Sequence, residues 1–92
     1  MTTDIRLQLL KCLADDTRLQ ILDTLKDGER CVCEIMKDLN KEQSLLSHHL
    51  RALRKCKLVK FRRDGKKKMY RLADPSVLKL LIDLEKLSKK FC

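Results

Sequence analysis

Cys31 and Cys33 put two thiols one residue apart, the densest reactive chemistry in the chain. In an extended backbone, residues two apart project to the same side, so both sulfurs can reach one ion. Thiolates are soft ligands that select soft acceptors such as As(III), Cd(II), Zn(II) or Cu(I). The same two thiols can also be oxidised, although a disulfide across one intervening residue is strained. The plainer reading makes Cys33 a small helix-entry residue with Cys31 packed beneath it. Cys12, Cys56 and Cys92 bring the number of cysteines to five. An odd number, in a chain whose start has no apolar signal segment, points to reduced thiols and away from a disulfide framework. Cys12 and Cys56 read as small buried hydrophobes.

The second chemistry is electrostatic. Between Arg51 and Arg71, eleven Lys and Arg residues face a single acid, Asp64, while the other eleven bases are balanced by twelve acids. Of the net charge of +9, therefore, +10 sits in this one segment. Such a patch suits a polyanion, because neutralising phosphates releases condensed counterions. A merely solvated face mixes both signs. RNA readers display aromatic stacking residues, and here only Phe61 and Tyr70 lie near the block, at positions that read as the inner face of a hairpin. No spacing pairs a cysteine with a histidine as nucleophile and base, and the chain is too short to enclose much of a substrate, so an enzyme is excluded. A pure protein-interaction module does not explain the charge asymmetry.

These side chains need elements to hold them. The pattern predicts a mostly α fold with a small β-hairpin (α+β), one domain over residues 1–92. A first helix runs from Thr3 to Leu13, with Ile5, Leu9, Leu10 and Leu13 on one stripe. Asp15-Asp16-Thr17 caps a second helix that reaches Lys26, with Leu19, Ile21, Leu22 and Leu25 inward. Cys31-Val32-Cys33 is extended, and Glu34 to Leu39 is a brief helix with Ile35, Met36 and Leu39 inward. After a turn at residues 40–42 comes a helix to about Lys55. On it Leu46, Leu50 and Leu53 share a narrow arc, opposite Ser44, Ser47, His48, Arg51 and Lys55. Two short helices joined by such a turn read as helix-turn-helix.

Leu58 to Arg62 and Lys67 to Leu72 then flank Asp64-Gly65, a dipeptide that favours a type I′ hairpin turn. A basic hairpin after a recognition helix is a wing, and Arg62, Arg63, Lys66, Lys67 and Lys68 suit phosphates. Asp74-Pro75-Ser76 opens a last helix whose Val77, Leu80, Leu84, Leu87 and Phe91 alternate spacings of three and four, a seam for another helix. A small chain that is 43% hydrophobic but only 3% aromatic has a thin aliphatic core and gains from burying such a seam in an oligomer. No apolar run is long enough to span a bilayer, so the expectation is a soluble, cytoplasmic protein with no membrane partner.

Four collinear stretches carry a family resemblance. Cys12-Leu13-Ala14-Asp15-Asp16-Thr17-Arg18-Leu19 resembles the "ALADPTRL" entry of ArsR/SmtB winged-helix regulators. Glu29 to Ile35 is similar to their "ELCVCDL" metal box, Leu46 to Arg54 to "VSHHLKVLR", and Leu58 to Leu72 to their wing ending in Tyr-Arg-Leu. The resemblance implies a winged helix-turn-helix homodimer, joined through its first and last helices. It implies a repressor that covers double-stranded operator DNA and leaves it when a thiophilic metal or metalloid, most of all of the arsenite type, binds as inducer. No ion is needed for the fold.

Carried over by position, Gln43, Ser44, Ser47 and His48 read the major groove, with Arg51 and the wing residues beside them, and Cys31 and Cys33 hold the ion. His48 or His49 could instead be a metal ligand, but neighbours on a helix point about 100° apart and do not chelate one ion together. The arsenic-type box carries a third cysteine where this chain has Met36, leaving Cys12 or Cys92 as candidates. The family's zinc site on the last helix is missing: Asp74 is in place, but Ser76, Leu87 and Lys90 stand where its other ligands belong. A redox-responsive or ligand-independent regulator is the alternative.

Overall fold

The computed structural model describes residues 4–91. Its elements are α1 (Ile5–Leu13), α2 (Asp16–Thr24), β1 (Arg30–Cys31), α3 (Val32–Leu39), α4 (Gln43–Lys55), β2 (Val59–Asp64), β3 (Lys67–Leu72) and α5 (Pro75–Phe91). Thr3, the expected start of the first helix, lies outside the described residues.

Short acids start the helices. Asp4 caps α1, accepting from the Arg6 N–H at 2.9 Å, and Asp15 caps α2, accepting from the Arg18 N–H at 3.0 Å. Each satisfies an amide that has no partner within its helix. Asp74 accepts from the Ser76 N–H at 2.9 Å at the start of α5, where Pro75 lacks the N–H that would have gone unpaired. Asn40, in the left-handed region at φ 53°, ends α3 and begins the turn into α4. Lys57, at φ 62°, does the same for α4: its N–H reaches the Arg54 carbonyl at 2.9 Å and that of Leu58 reaches Leu53 at 3.0 Å. This paired closure sends the chain directly into the wing.

The core is aliphatic. Ile21, Leu22, Leu25, Ile35, Leu46, Leu50 and Leu53 are its largest fully buried side chains, from α2, α3 and α4 and the end of α2. Leu58, Val59 and Tyr70 from the base of the wing, with Val77 and Leu81 from α5, close it. The expected inward arc of α4 is confirmed: Leu46, Leu50 and Leu53 are wholly buried.

Two expectations need correction. The stretch Cys31-Val32-Cys33 is not extended throughout. Only Arg30 and Cys31 form a strand, pairing with Tyr70 and Met69 to give an antiparallel sheet in the order β1-β3-β2. Cys31 is instead the N-cap of α3. Its sulfur accepts from the Glu34 N–H at 3.2 Å while Glu34 Oε1 accepts from the Cys31 N–H at 3.0 Å. This reciprocal capping box draws Val32 and Cys33 into the helix.

The hairpin turn is also shifted by one residue. Asp64 pairs with Lys67, so Gly65 and Lys66 are the central residues, and only Gly65, at φ 63°, is left-handed. A single positive φ at the first position is the mark of a type II′ turn, which needs glycine there and nowhere else.

The apolar seam of α5 is covered only at its start. Val77 and Leu81 are buried, but Leu84, Leu87 and Phe91 are exposed, as are Ile5, Leu7 and Leu10 of α1. Surface ion pairs from Lys26 to Asp23 (3.1 Å) and Glu85 (3.3 Å) tie α5 to the end of α2.

The Arg18 amide, which hydrogen-bonds its carboxylate, is the main cause holding the Asp15 carboxyl below its ordinary value. A depressed carboxyl contributes stability above its unfolded value and loses it as the pH falls. Asp15→Ala should therefore cost about 1 kcal/mol at neutral pH in urea unfolding. The gap between wild type and variant should close below about pH 4, as the wild-type carboxylate protonates.

Candidate nucleic-acid interface and thiol pocket

Burying Leu46, Leu50 and Leu53 leaves α4 only one way to face. Gln43, Ser44, His48, Arg51 and Lys55 are exposed and Ser47 is half-buried. The helix starts at Glu42 without a side-chain cap, so its first amides are not taken by a capping side chain. From the wing, Arg63, Lys66, Lys67 and Lys68 are exposed. No ion pair among the described residues involves Arg51 or any of these four.

Arg62 is placed differently. Its guanidinium grips Glu29 through two hydrogen bonds, 2.9 Å from Nε and 2.6 Å from the terminal nitrogen. That contact pulls the Glu29 carboxyl below its ordinary value and raises the Arg62 guanidinium. It anchors β2 to the loop before β1, and a carboxylate already occupies the fork that a phosphate would need. The sequence offered no sign of this, because the partners are 33 residues apart.

Inside the wing Phe61 stacks on Tyr70, with centroids 5.5 Å apart, and the Arg54 guanidinium lies 4.1 Å above the Phe61 ring. The two aromatics do form the inner face of the hairpin. His49 is buried at the start of α2, where its Nδ1 accepts from Arg18 Nε at 3.2 Å and lies 3.8 Å from Asp15 Oδ1. It is a packing residue that fixes α4 to α2, whereas its neighbour His48 faces outward.

The sulfurs form two pairs in direct contact, Cys31 with Cys33 and Cys12 with Cys56, with Cα separations of 5.2 and 6.7 Å. The expectation of unpaired thiols is thus corrected for four of the five. Cys31 keeps an extended backbone as the N-cap and Cys33 lies in the first turn of α3, so the pair meets where the strand passes into the helix. Cys12 belongs to a different contact, between α1 and the end of α4, so it does not complete a three-thiolate site within one chain. Cys92 lies outside the described residues. Among the described residues no three His, Cys, Asp or Glu side chains gather as a metal site. Asp74 is bound to Ser76, its Oδ2 accepting from the hydroxyl at 2.6 Å.

A cavity of about 280 Å³ joins the two chemistries. Cys31, Cys33 and Met36 line one wall, Gln43, Ser47 and Arg51 a second, and Arg54, Lys66, Lys67, Lys68 and Tyr70 the rest. Neither the cavity nor the closeness of the wing tip to the thiols could be read from spacing along the chain.

A helix-turn-helix followed by a basic hairpin defines the winged-helix class of DNA-binding domain. Comparison with known proteins narrows this. The family profile described as "Bacterial regulatory protein, arsR family" matches residues 15–60. An uncharacterized HTH-type transcriptional regulator of Methanocaldococcus jannaschii is 39% identical over 75 residues, covering 80% of this chain and 84% of that one. The arsenical resistance operon repressor of Staphylococcus aureus is 44% identical over 64 residues, which span 70% of this chain and 62% of the repressor. Among solved structures, the homodimeric winged helix-turn-helix DNA-binding domain of a possible ArsR-family regulator from Mycobacterium bovis superposes with a TM-score of 0.89. It is 34% identical, and the match covers 96% of this chain and 82% of that domain. The chain belongs to the ArsR family of transcriptional regulators.

Burial ranks the thiols. Cys31 and Cys12 are 2% and 3% exposed, while Cys33 lies open. Among the described cysteines of the reduced protein, a neutral alkylating reagent should label Cys33 first, the half-buried Cys56 next, and Cys31 and Cys12 only on unfolding. Peptide mapping by mass spectrometry reads the order, and early labelling of Cys31 would contradict the placement of its sulfur under the α3 cap.

Proposed function

We propose that residues 1–92 work as a single winged helix-turn-helix domain, in a cytoplasmic homodimer that represses by covering operator DNA. The dimer leaves the DNA when a thiophilic ion, of the arsenite type in the first instance, is taken by Cys31 and Cys33. The observation that carries this reading is the shared cavity, in which the thiol pair faces Gln43, Ser47 and Arg51. Gln43, Ser44, Ser47 and His48 meet base edges or nearby phosphates, since a Gln amide can pair bidentately with adenine. Arg51, Arg63, Lys66, Lys67 and Lys68 neutralise phosphates, and the open amides at the start of α4 suit another. Arg62 positions the wing through Glu29.

The residues that would hold the ion are Cys31 and Cys33, with the Met36 thioether beside them. The Staphylococcus aureus relative named for arsenical resistance supports a thiophilic inducer. Such an ion would supply a soft Lewis acid for which the Cys31 and Cys33 thiolates are suitable ligands. Cys31 caps α3 through the Glu34 N–H, so drawing its sulfur toward a shared ion with Cys33 would shift the first turn of α3. The turn at residues 40–42 passes that change to α4. Two thiolates suffice for Cu(I), while trivalent arsenic would need a third, for which Cys92 or a thiol of a second subunit is the candidate.

A redox reading stands second, favoured by the direct contact of the two sulfurs. Titrating the reduced protein with As(III), Cd(II), Zn(II) and Cu(I), while following thiolate absorption and DNA affinity together, separates the two. The ion reading requires Cys31→Ser, Cys33→Ser to bind DNA normally and ignore every ion. A wild type indifferent to ions but released by peroxide installs the redox reading.

Dimerisation is expected through the exposed apolar residues of α1 and α5. Leu84→Glu should give monomer in sedimentation, and a variant as dimeric as wild type would place the interface elsewhere. The operator should be an imperfect palindrome with half-sites about 10 bp apart. Lys67→Ala should weaken every duplex and reduce the salt slope by roughly one phosphate's share, whereas Gln43→Ala should chiefly erode sequence discrimination. Equal losses of specificity from both changes would refute that division.

A further inference from the structure

The cavity beside the thiols is cationic as well as sulfur-lined. Arg51, Lys66, Lys67 and Lys68 line it with no carboxylate partner among the ion pairs of the described residues. The same four charges are the ones proposed above for DNA phosphates, and when no DNA is bound they are open to a smaller anion beside the thiols. At about 280 Å³ the space falls just below the range of about 300 to 1,000 Å³ for ligand cavities, so only a small molecule fits it. The two sulfurs differ in a way that gives them separate roles. Cys33 is exposed, while Cys31 is buried and its sulfur accepts the Glu34 N–H at 3.2 Å at the start of α3.

We propose that this cavity captures a small carboxylate-bearing thiol as a mixed disulfide on Cys33. The incoming thiolate attacks Cys33 Sγ of the paired Cys31–Cys33, a new S–S bond forms there, and the Cys31–Cys33 bond breaks. The electron pair leaves on Cys31 Sγ as a thiolate, so charge and electrons balance with no outside oxidant. Cys31 is the suitable leaving group because a helix N-terminus favours negative charge and the Glu34 amide already points at the sulfur. Access decides that Cys33 is the sulfur attacked. The carboxylates of the captured thiol then lie among Arg51 and the three lysines of the wing.

One consequence rests on the DNA reading above. The adduct places carboxylates where Gln43, Ser47 and Arg51 would meet DNA, so it blocks binding directly, without requiring α4 to move.

The test uses the full chain with the Cys31–Cys33 pair oxidised, and three thiols of different charge: glutathione (anionic), 2-mercaptoethanol (neutral) and cysteamine (cationic). Each rate of adduct formation is normalised to that thiol's rate with 2-hydroxyethyl disulfide, and the adduct is located by peptide mapping. Glutathione should be favoured over cysteamine by about tenfold or more at low salt, because a cationic cleft concentrates anions. That preference should shrink to near unity at about 1 M salt, where the Debye length falls to about 3 Å. The variant Lys66→Gln, Lys67→Gln, Lys68→Gln, exposed on the hairpin and checked for folding by circular dichroism, should lose most of it as well. Equal normalised rates for the three thiols, or an adduct mapped to Cys31, would overturn the proposal.

Anisotropy with operator DNA supplies the second readout. The glutathione adduct should bind at least about tenfold more weakly than the reduced protein, and an adduct with unchanged affinity overturns the blocking step. A reduced protein that binds no duplex at all sinks the DNA reading instead, while the charge preference still decides the capture site.

Discussion

Three leucines fix what this protein can show to a partner. Leu46, Leu50 and Leu53 are wholly buried, and a helix with three such anchors cannot rotate about its axis without exposing one of them. Exposing a leucine costs about 1.5–3 kcal/mol, which makes the rotation of α4 one of the best-determined features of the fold. The polar face is then set by geometry alone. His49 adds a polar constraint to the apolar ones, since its bond to Arg18 holds α4 against the capped start of α2.

Electrostatics supplies the second layer. Charge is segregated along the chain, and the fold keeps it segregated in space by putting the basic hairpin next to the outward face of α4. The Arg62–Glu29 contact spends one of those charges on holding the wing in place. What remains is a surface whose positive groups have no internal carboxylate to satisfy, the condition for a phosphate partner. The thiol pair opens onto that same surface, so whatever occupies the sulfurs acts within reach of the residues expected to face DNA.

Much of this was legible in the sequence because it follows from local periodicity. The leucine arc of α4, the Asp15 and Asp74 helix starts, the basic hairpin and the inner Phe61–Tyr70 pair all depend on residues close together along the chain. What escaped depended on distant partners or on competition between local signals. A thiol is an uncommon cap, so the sequence pattern points to a start of α3 at Glu34, whereas Cys31 already serves as its cap. Gly65 offered two placements of the hairpin turn, and strand register selected the one with a single left-handed residue. His49 could have been assigned inward: at about 100° per residue it lies roughly 60° from Leu46 and 40° from Leu53. The Cys12–Cys56 contact and the Arg62–Glu29 bridge span 44 and 33 residues, and no spacing rule reaches that far.

The central claim is that occupation of the Cys31–Cys33 pair and DNA binding by α4 oppose each other energetically. Linkage makes this testable in a single cycle: the factor by which an ion weakens operator affinity must equal the factor by which the operator weakens ion affinity. Both can be measured on the same reduced protein, by anisotropy with labelled operator and by thiolate absorption with and without unlabelled operator. The account predicts two equal factors, in the range of about 5- to 150-fold typical of such couplings, for at least one thiophilic ion. Ion binding at Cys31 and Cys33 with the same affinity whether or not DNA is bound would contradict it.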